Sequence, residues 1–113
     1  MKIIWFSRHE PIQKQITELK RIFGSDVEII LDSNPFSNAD DVANRFKRSG
    51  AEEMVVVAPL SVIIELIKRG IRPLYAEMKL VQGNEYDVAV NGRKFVFDRF
   101  VRITAIEVKK EEL

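Results

Sequence analysis

At 113 residues, 46% hydrophobic and 31% charged, with a formal net charge of +1, the chain has the size and balance of one folded domain with its own core. Neither half carries a large surplus of basic residues, which argues against a non-specific nucleic-acid binder. The lack of Cys excludes disulfides, a thiol nucleophile and a Cys-based metal site, no apolar run is long enough for a bilayer, and Met1-Lys2-Ile3-Ile4 does not read as a signal peptide, so a cytoplasmic protein is expected.

Lys2 to Phe6 is apolar without alternation, the pattern of a strand buried on both faces. It stops at Ser7-Arg8-His9-Glu10, and Pro11 stands in the first turn of a helical pattern, where a missing amide proton costs nothing. Ile12, Ile16, Leu19 and Phe23 make one apolar stripe, and Gly24 is a stop signal. Val27 to Leu31 is the second strand, with Asp32-Ser33-Asn34-Pro35 as its exit loop. Ser37 or Asn38 caps the second helix, whose first turn holds Asp40 and Asp41 and whose inner face carries Val42 and Phe46. Gly50 ends it. Met54 to Ala58 is a third apolar strand, β-branched at Val55-Val56-Val57. Ser61 is the expected cap of the third helix and Gly70 its end. The mostly apolar interior of that helix predicts burial on more than one side, against the sheet and a second subunit.

From Arg72 onward the period changes. Leu74, Ala76, Met78 and Leu80 alternate with Tyr75, Glu77 and Lys79. Tyr86 to Val90, then Asn91-Gly92, then Arg93 to Phe97 predict a hairpin with a two-residue type I′ turn. Asp98-Arg99 marks a bulge, Phe100 to Val108 continues extended, and Lys109 to Leu113 reads as a solvated tail. The chain is thus expected to be a single domain over 1–113, βαβαβα over 1–72 and antiparallel strands over 73–108. The fold class is α/β. It is expected as a three-layer sandwich in which three βα units form a parallel sheet extended by a C-terminal antiparallel ribbon, Rossmann-like but without a dinucleotide fingerprint.

In open α/β sheets ligands bind at the carboxyl ends of the strands. That edge would gather Ser7, Arg8, His9, Asp32, Ser33, Asn34 and Ser61 beside helix amino-termini whose free amides favour anions. Arg8 suits a phosphate or carboxylate, and His9, the only imidazole, can give a hydrogen bond or a proton near neutral pH. The plainer reading makes each of these a cap or an ion-pair partner. The leading expectation is a homodimer that binds an anionic or phosphate-bearing small ligand, a nucleotide being one version, with the question of catalysis left open and leaning against it. The alternatives are a non-catalytic homo-oligomeric interaction module and a weak phosphoester hydrolase that depends on His9.

No metal or cofactor is expected, because one His and the helix-opening pair Asp40-Asp41 make a poor ligand set. There is no G-x-x-x-x-G-K-[ST] and no G-x-S-x-G. Arg93, Lys94, Arg99 and Arg102 interleave with Phe95, Phe97 and Phe100, a pattern able to bind single-stranded nucleic acid. Alternation instead assigns Phe95 and Phe97 to a core face.

Arg8-His9 directly after a first strand resembles the Arg-His pair of histidine phosphatases, which implies His9 as a nucleophile. Those enzymes follow the pair with Gly and use a second His; here Glu10 follows and no other His exists, which removes their leaving-group machinery. Ile3-Ile4-Trp5-Phe6-Ser7-Arg8-His9-Glu10-Pro11 and Val55-Val56-Val57-Ala58-Pro59-Leu60-Ser61, with Gly70-Ile71-Arg72-Pro73-Leu74, resemble a group of small prokaryotic and phage- or virus-borne α/β proteins of unknown function. That resemblance implies no activity, cofactor or partner, and favours an accessory protein over a housekeeping enzyme.

Overall fold

Ile3, Ile4, Trp5 and Phe6 are all buried, as an apolar run without alternation requires. They form strand β1 (Lys2–Phe6), and β1 lies between two parallel neighbours. The computed structural model describes residues 1–113. After β1 come helix α1 (Gln13–Phe23), β2 (Glu28–Asp32), α2 (Ala39–Ser49), β3 (Glu53–Val56), α3 (Leu60–Lys68), β4 (Leu74–Val81), β5 (Val88–Val90) and β6 (Arg93–Arg102). The fold is α/β, with three helices and one mixed six-stranded sheet in the order β2-β1-β3-β4-β6-β5. β1 pairs in parallel with β2 and β3, and β3 touches β4 in parallel at Val55 and Leu74. β4, β6 and β5 pair antiparallel. No helix is long and apolar enough to cross a membrane.

Side-chain alternation along β1 divides the core in two. Ile4 and Phe6 join Met54 and Val56 of β3 with Ala39 and Val42 of α2 and Ile63 and Leu66 of α3. Ile3 and Trp5 join Val55, Leu74 and the α1 residue Leu19. Trp5 also meets the edge of Phe100, ring centroids 6.1 Å apart at 87°.

Local signals explain most boundaries. Asn38 caps α2, its Oδ1 accepting from the Asp41 amide at 2.9 Å, and Gly50 ends that helix in the left-handed region at φ 72°, where a side chain would be strained. Asn91 and Gly92 both have positive φ, 52° and 77°, the signature of a type I′ turn. Val90 pairs with Arg93 across it. The expected bulge is present: Glu77 pairs with Arg99 and Met78 with Phe97, so Asp98 is the extra residue.

Several boundaries differ from expectation: Pro11 precedes α1 rather than standing in its first turn, β3 ends at Val56 rather than Ala58, and β5 begins at Val88 rather than Tyr86. Ser61 does not cap α3; the helix begins at Leu60 after Pro59, and no side chain caps it. Proline supplies the entry geometry there, since it fixes φ and lacks an amide to satisfy. The last strand does not run to Val108. It ends at Arg102, and Ile103 and Ile106 instead pack against the cluster under α2 and α3, where burial replaces a ladder no further strand could complete. Arg102 anchors this point with paired contacts to Glu53, 2.8 and 2.9 Å, and one to the Arg72 carbonyl at 3.1 Å. The Glu53 contact is the main reason the Arg102 guanidinium titrates even higher than usual.

Candidate functional site

The polar stretch after β1 folds back on itself. The Trp5 indole Nε1 donates to the His9 carbonyl at 2.9 Å, and the His9 amide donates to Ser7 Oγ at 3.2 Å. These two bonds hold Ser7–His9 as a bend over the end of the strand. Ser7 and His9 line a crevice of about 360 Å³, while Arg8, outside that lining, is exposed between them and makes neither an ion pair nor a side-chain hydrogen bond. No side chain hydrogen-bonds the His9 imidazole.

The crevice lies at the carboxyl ends of β1 and β3, with Trp5 and Val55 in its floor. Ile12 and Gln15 of α1 form one wall; Met78 of β4, Val88 of β5 and Phe95 of β6 form the other. Ten of its fourteen lining residues are hydrophobic, so whatever fills it must present mainly apolar surface. Polar groups are few: Ser7, His9 and Glu10 come from the β1 exit, and Gln15 from the helix wall.

A polar clasp joins the two walls. Lys14 of α1 reaches Asp87, just before β5, at 2.8 Å, and Asp87 also accepts from the Phe97 amide at 2.8 Å. The Lys14 hydrogen bond, followed by that of Phe97, holds the Asp87 carboxyl below the usual carboxylate range.

The remaining predicted site residues lie elsewhere. Asp32 and Asn34 border a separate groove with Arg45 and Arg48. Arg45 organises it, pairing with Asp41 at 2.8 Å and Asp32 at 3.5 Å and donating to the carbonyls of Asn34 and Pro35 at 3.0 and 2.7 Å. The Asp32 Oδ1 also accepts from the Asn34 amide, so these two residues shape the β2 exit loop. Ser33 and Ser61 are exposed, and neither borders the crevice. No three His, Asp or Glu side chains converge as a metal site would require. Replacing Arg45 with Met is expected to cost about 1–2 kcal/mol, since charge-assisted bonds to two loop carbonyls are lost. Chemical denaturation measures that cost, and faster proteolytic cutting near Pro35 locates it.

Gln15 is the residue that sequence reasoning missed. It lies three positions after Ile12 and four before Leu19, on the apolar stripe itself. A polar side chain at that spacing was the available signal. No family model, curated protein or solved structure matches this chain.

Proposed function

We propose that this protein binds a small amphipathic molecule, its apolar body in the crevice and its anionic end at the β1 exit. The observation that carries the reading is the crevice beside an arginine with no partner: Ser7 and His9 border it, and Arg8 stands exposed between them. This reading takes the sheet as a Rossmann-like, doubly wound arrangement of three βα units in a three-layer sandwich. In such a sheet the chain runs from β1 to β2 on one side and returns to β3 on the other, and ligands collect where that order reverses. The crevice opens at that point, and its volume falls in the range of small-molecule sites, about 300–1,000 Å³.

Binding has more support than turnover. A hydrolase using His9 needs a group to orient the imidazole, and none touches it. The second reading, a homo-oligomeric module, draws on β5, which ends the sheet and pairs with β6 alone, and on the exposed side chains of Leu80 and Val90. Light scattering separates a monomer from a dimer directly.

Arg8→Ala tests the leading reading. A charge-assisted hydrogen bond contributes about 1.5–3 kcal/mol, so affinity for an anionic ligand should fall at least tenfold. The melting temperature should stay within about 2 °C, because surface changes away from structural contacts stay within about 0.5 kcal/mol. An unchanged affinity in a thermal-shift titration against sugar phosphates, nucleotides and dicarboxylates would remove Arg8 from the site.

A further inference from the structure

Gln15 is the one polar side chain buried in the chain, 6% exposed, and it borders the crevice. Its Oε1 accepts from the Ile12 amide at the start of α1, 3.0 Å away. That bond fixes which way the amide is turned: the oxygen serves the helix end, and the NH2 group is left on the other side. There it finds only Met78 Sδ at 4.0 Å. A thioether is a weak acceptor, so an oxygen or ring nitrogen entering the crevice would be a better partner for this donor. Met78 also borders the crevice, on an unbranched side chain that repacks easily.

The crevice that Gln15 borders is also lined by aromatic residues. Trp5 lies in the floor with its indole N–H already given to the His9 carbonyl, so it offers only its ring. Phe95, on the same sheet face as Met78, is a second aromatic residue of the lining. A saturated acyl chain would leave the Gln15 NH2 unanswered, and a bare sugar would leave its hydroxyls against apolar walls. A heteroaromatic ring with a carbonyl or ring-nitrogen acceptor meets both demands, since its faces are apolar and its edge answers one directional donor.

We infer that the crevice is a nucleobase pocket, in which Gln15 Nε2 donates to a carbonyl or ring-nitrogen acceptor on the base of a nucleotide. This rests on the small-ligand reading above, with the phosphate at Arg8. Gln15 selects the ring, and Arg8 holds the charge.

The chain has a single Trp, and it lies in the crevice floor, so Trp5 fluorescence reports occupancy directly. The experiment titrates wild type, Gln15→Leu, Gln15→Glu and Arg8→Ala with UMP, GMP and AMP. Their nucleosides, ribose 5-phosphate and inorganic phosphate complete the set. Gln15→Glu retains an oxygen for the Ile12 amide but replaces the NH2 group with an acceptor, so the helix start is kept while base recognition is not. At least one nucleotide is expected to change the Trp5 signal, with binding weakened tenfold or more in both Gln15 variants. Arg8→Ala should weaken that nucleotide and leave its nucleoside unaffected. The inference is overturned if ribose 5-phosphate binds as tightly as every nucleotide, or if nucleotide affinity survives both Gln15 changes. In either case, anion binding that still depends on Arg8 would leave the small-ligand reading standing. Failure of every probe to bind would overturn both.

Discussion

Phe6→Ala is expected to lower the melting temperature by on the order of 10–20 °C. Phe6 is fully buried and belongs to the cluster that joins β1 and β3 to α2 and α3. It also meets the edge of Phe36, ring centroids 6.5 Å apart at 85°. Removing a buried Phe ring costs about 3–5 kcal/mol, because the lost transfer free energy adds to the cavity left behind. At this chain length each kcal/mol corresponds to roughly 4 °C, and the loss approaches the whole stability of a marginal domain. Leu80→Ala is the control, since that side chain is 60% exposed and should change the midpoint by no more than about 2 °C. Similar small shifts for both variants in calorimetry would contradict the placement of Phe6 between sheet and helices.

The second large effect concerns the clasp across the crevice. Asp87→Ala removes the Lys14 contact and leaves the Phe97 amide without its acceptor, an expected loss of about 1.5–3 kcal/mol at neutral pH. Its pH dependence has a definite sign. The Asp87 carboxyl is held below its usual value in the folded protein, so its contribution is complete above the unfolded value near 3.8. It disappears as pH falls through the lower folded value. The gap between wild type and Asp87→Ala should therefore be constant from about pH 5 to 7 and shrink below about pH 4. Salt should reduce the gap only in part, because Lys14 is 62% exposed and screened, whereas the amide bond from Phe97 is not. Urea titrations at pH 7 and pH 3 give both numbers, and a gap that widens in acid would refute the assignment.

Elements whose identity follows from local chemistry were legible in the sequence. The apolar run before Ser7, the cap at Asn38, the Asn91-Gly92 turn and the bulge at Asp98 each depend on a few adjacent residues, and each appears where those residues place it. What was not legible depends on contacts between distant segments. The sequence points to Asp32 and Asn34 as ligand-binding groups but not to Arg45, more than ten residues later, which bonds the Asp32 carboxylate and the Asn34 backbone carbonyl. The crevice itself needs β5 and β6 to fold over α1, a long-range arrangement that no spacing encodes. Its lining is mostly apolar, and Gln15 is the one polar residue in it from the helix wall. That residue was overlooked because a glutamine on a helix is ordinarily a surface group.

Strand order also bears on how the chain comes into being. β1, which precedes both of its partners in the sequence, ends up flanked by β2 and β3, and its second partner is complete only at Val56. Until then a nascent chain carries an apolar β1 with a free backbone ladder on at least one side, the kind of surface that invites pairing between chains. The exposure of β1 therefore lasts until residues up to Val56 have followed, and arrest between β1 and Val56 is a greater hazard than arrest after it. After Val56 the unfinished part is α3 and the strands β4, β5 and β6, so late arrest would leave β1 paired on both sides but the crevice without its β4–β6 wall.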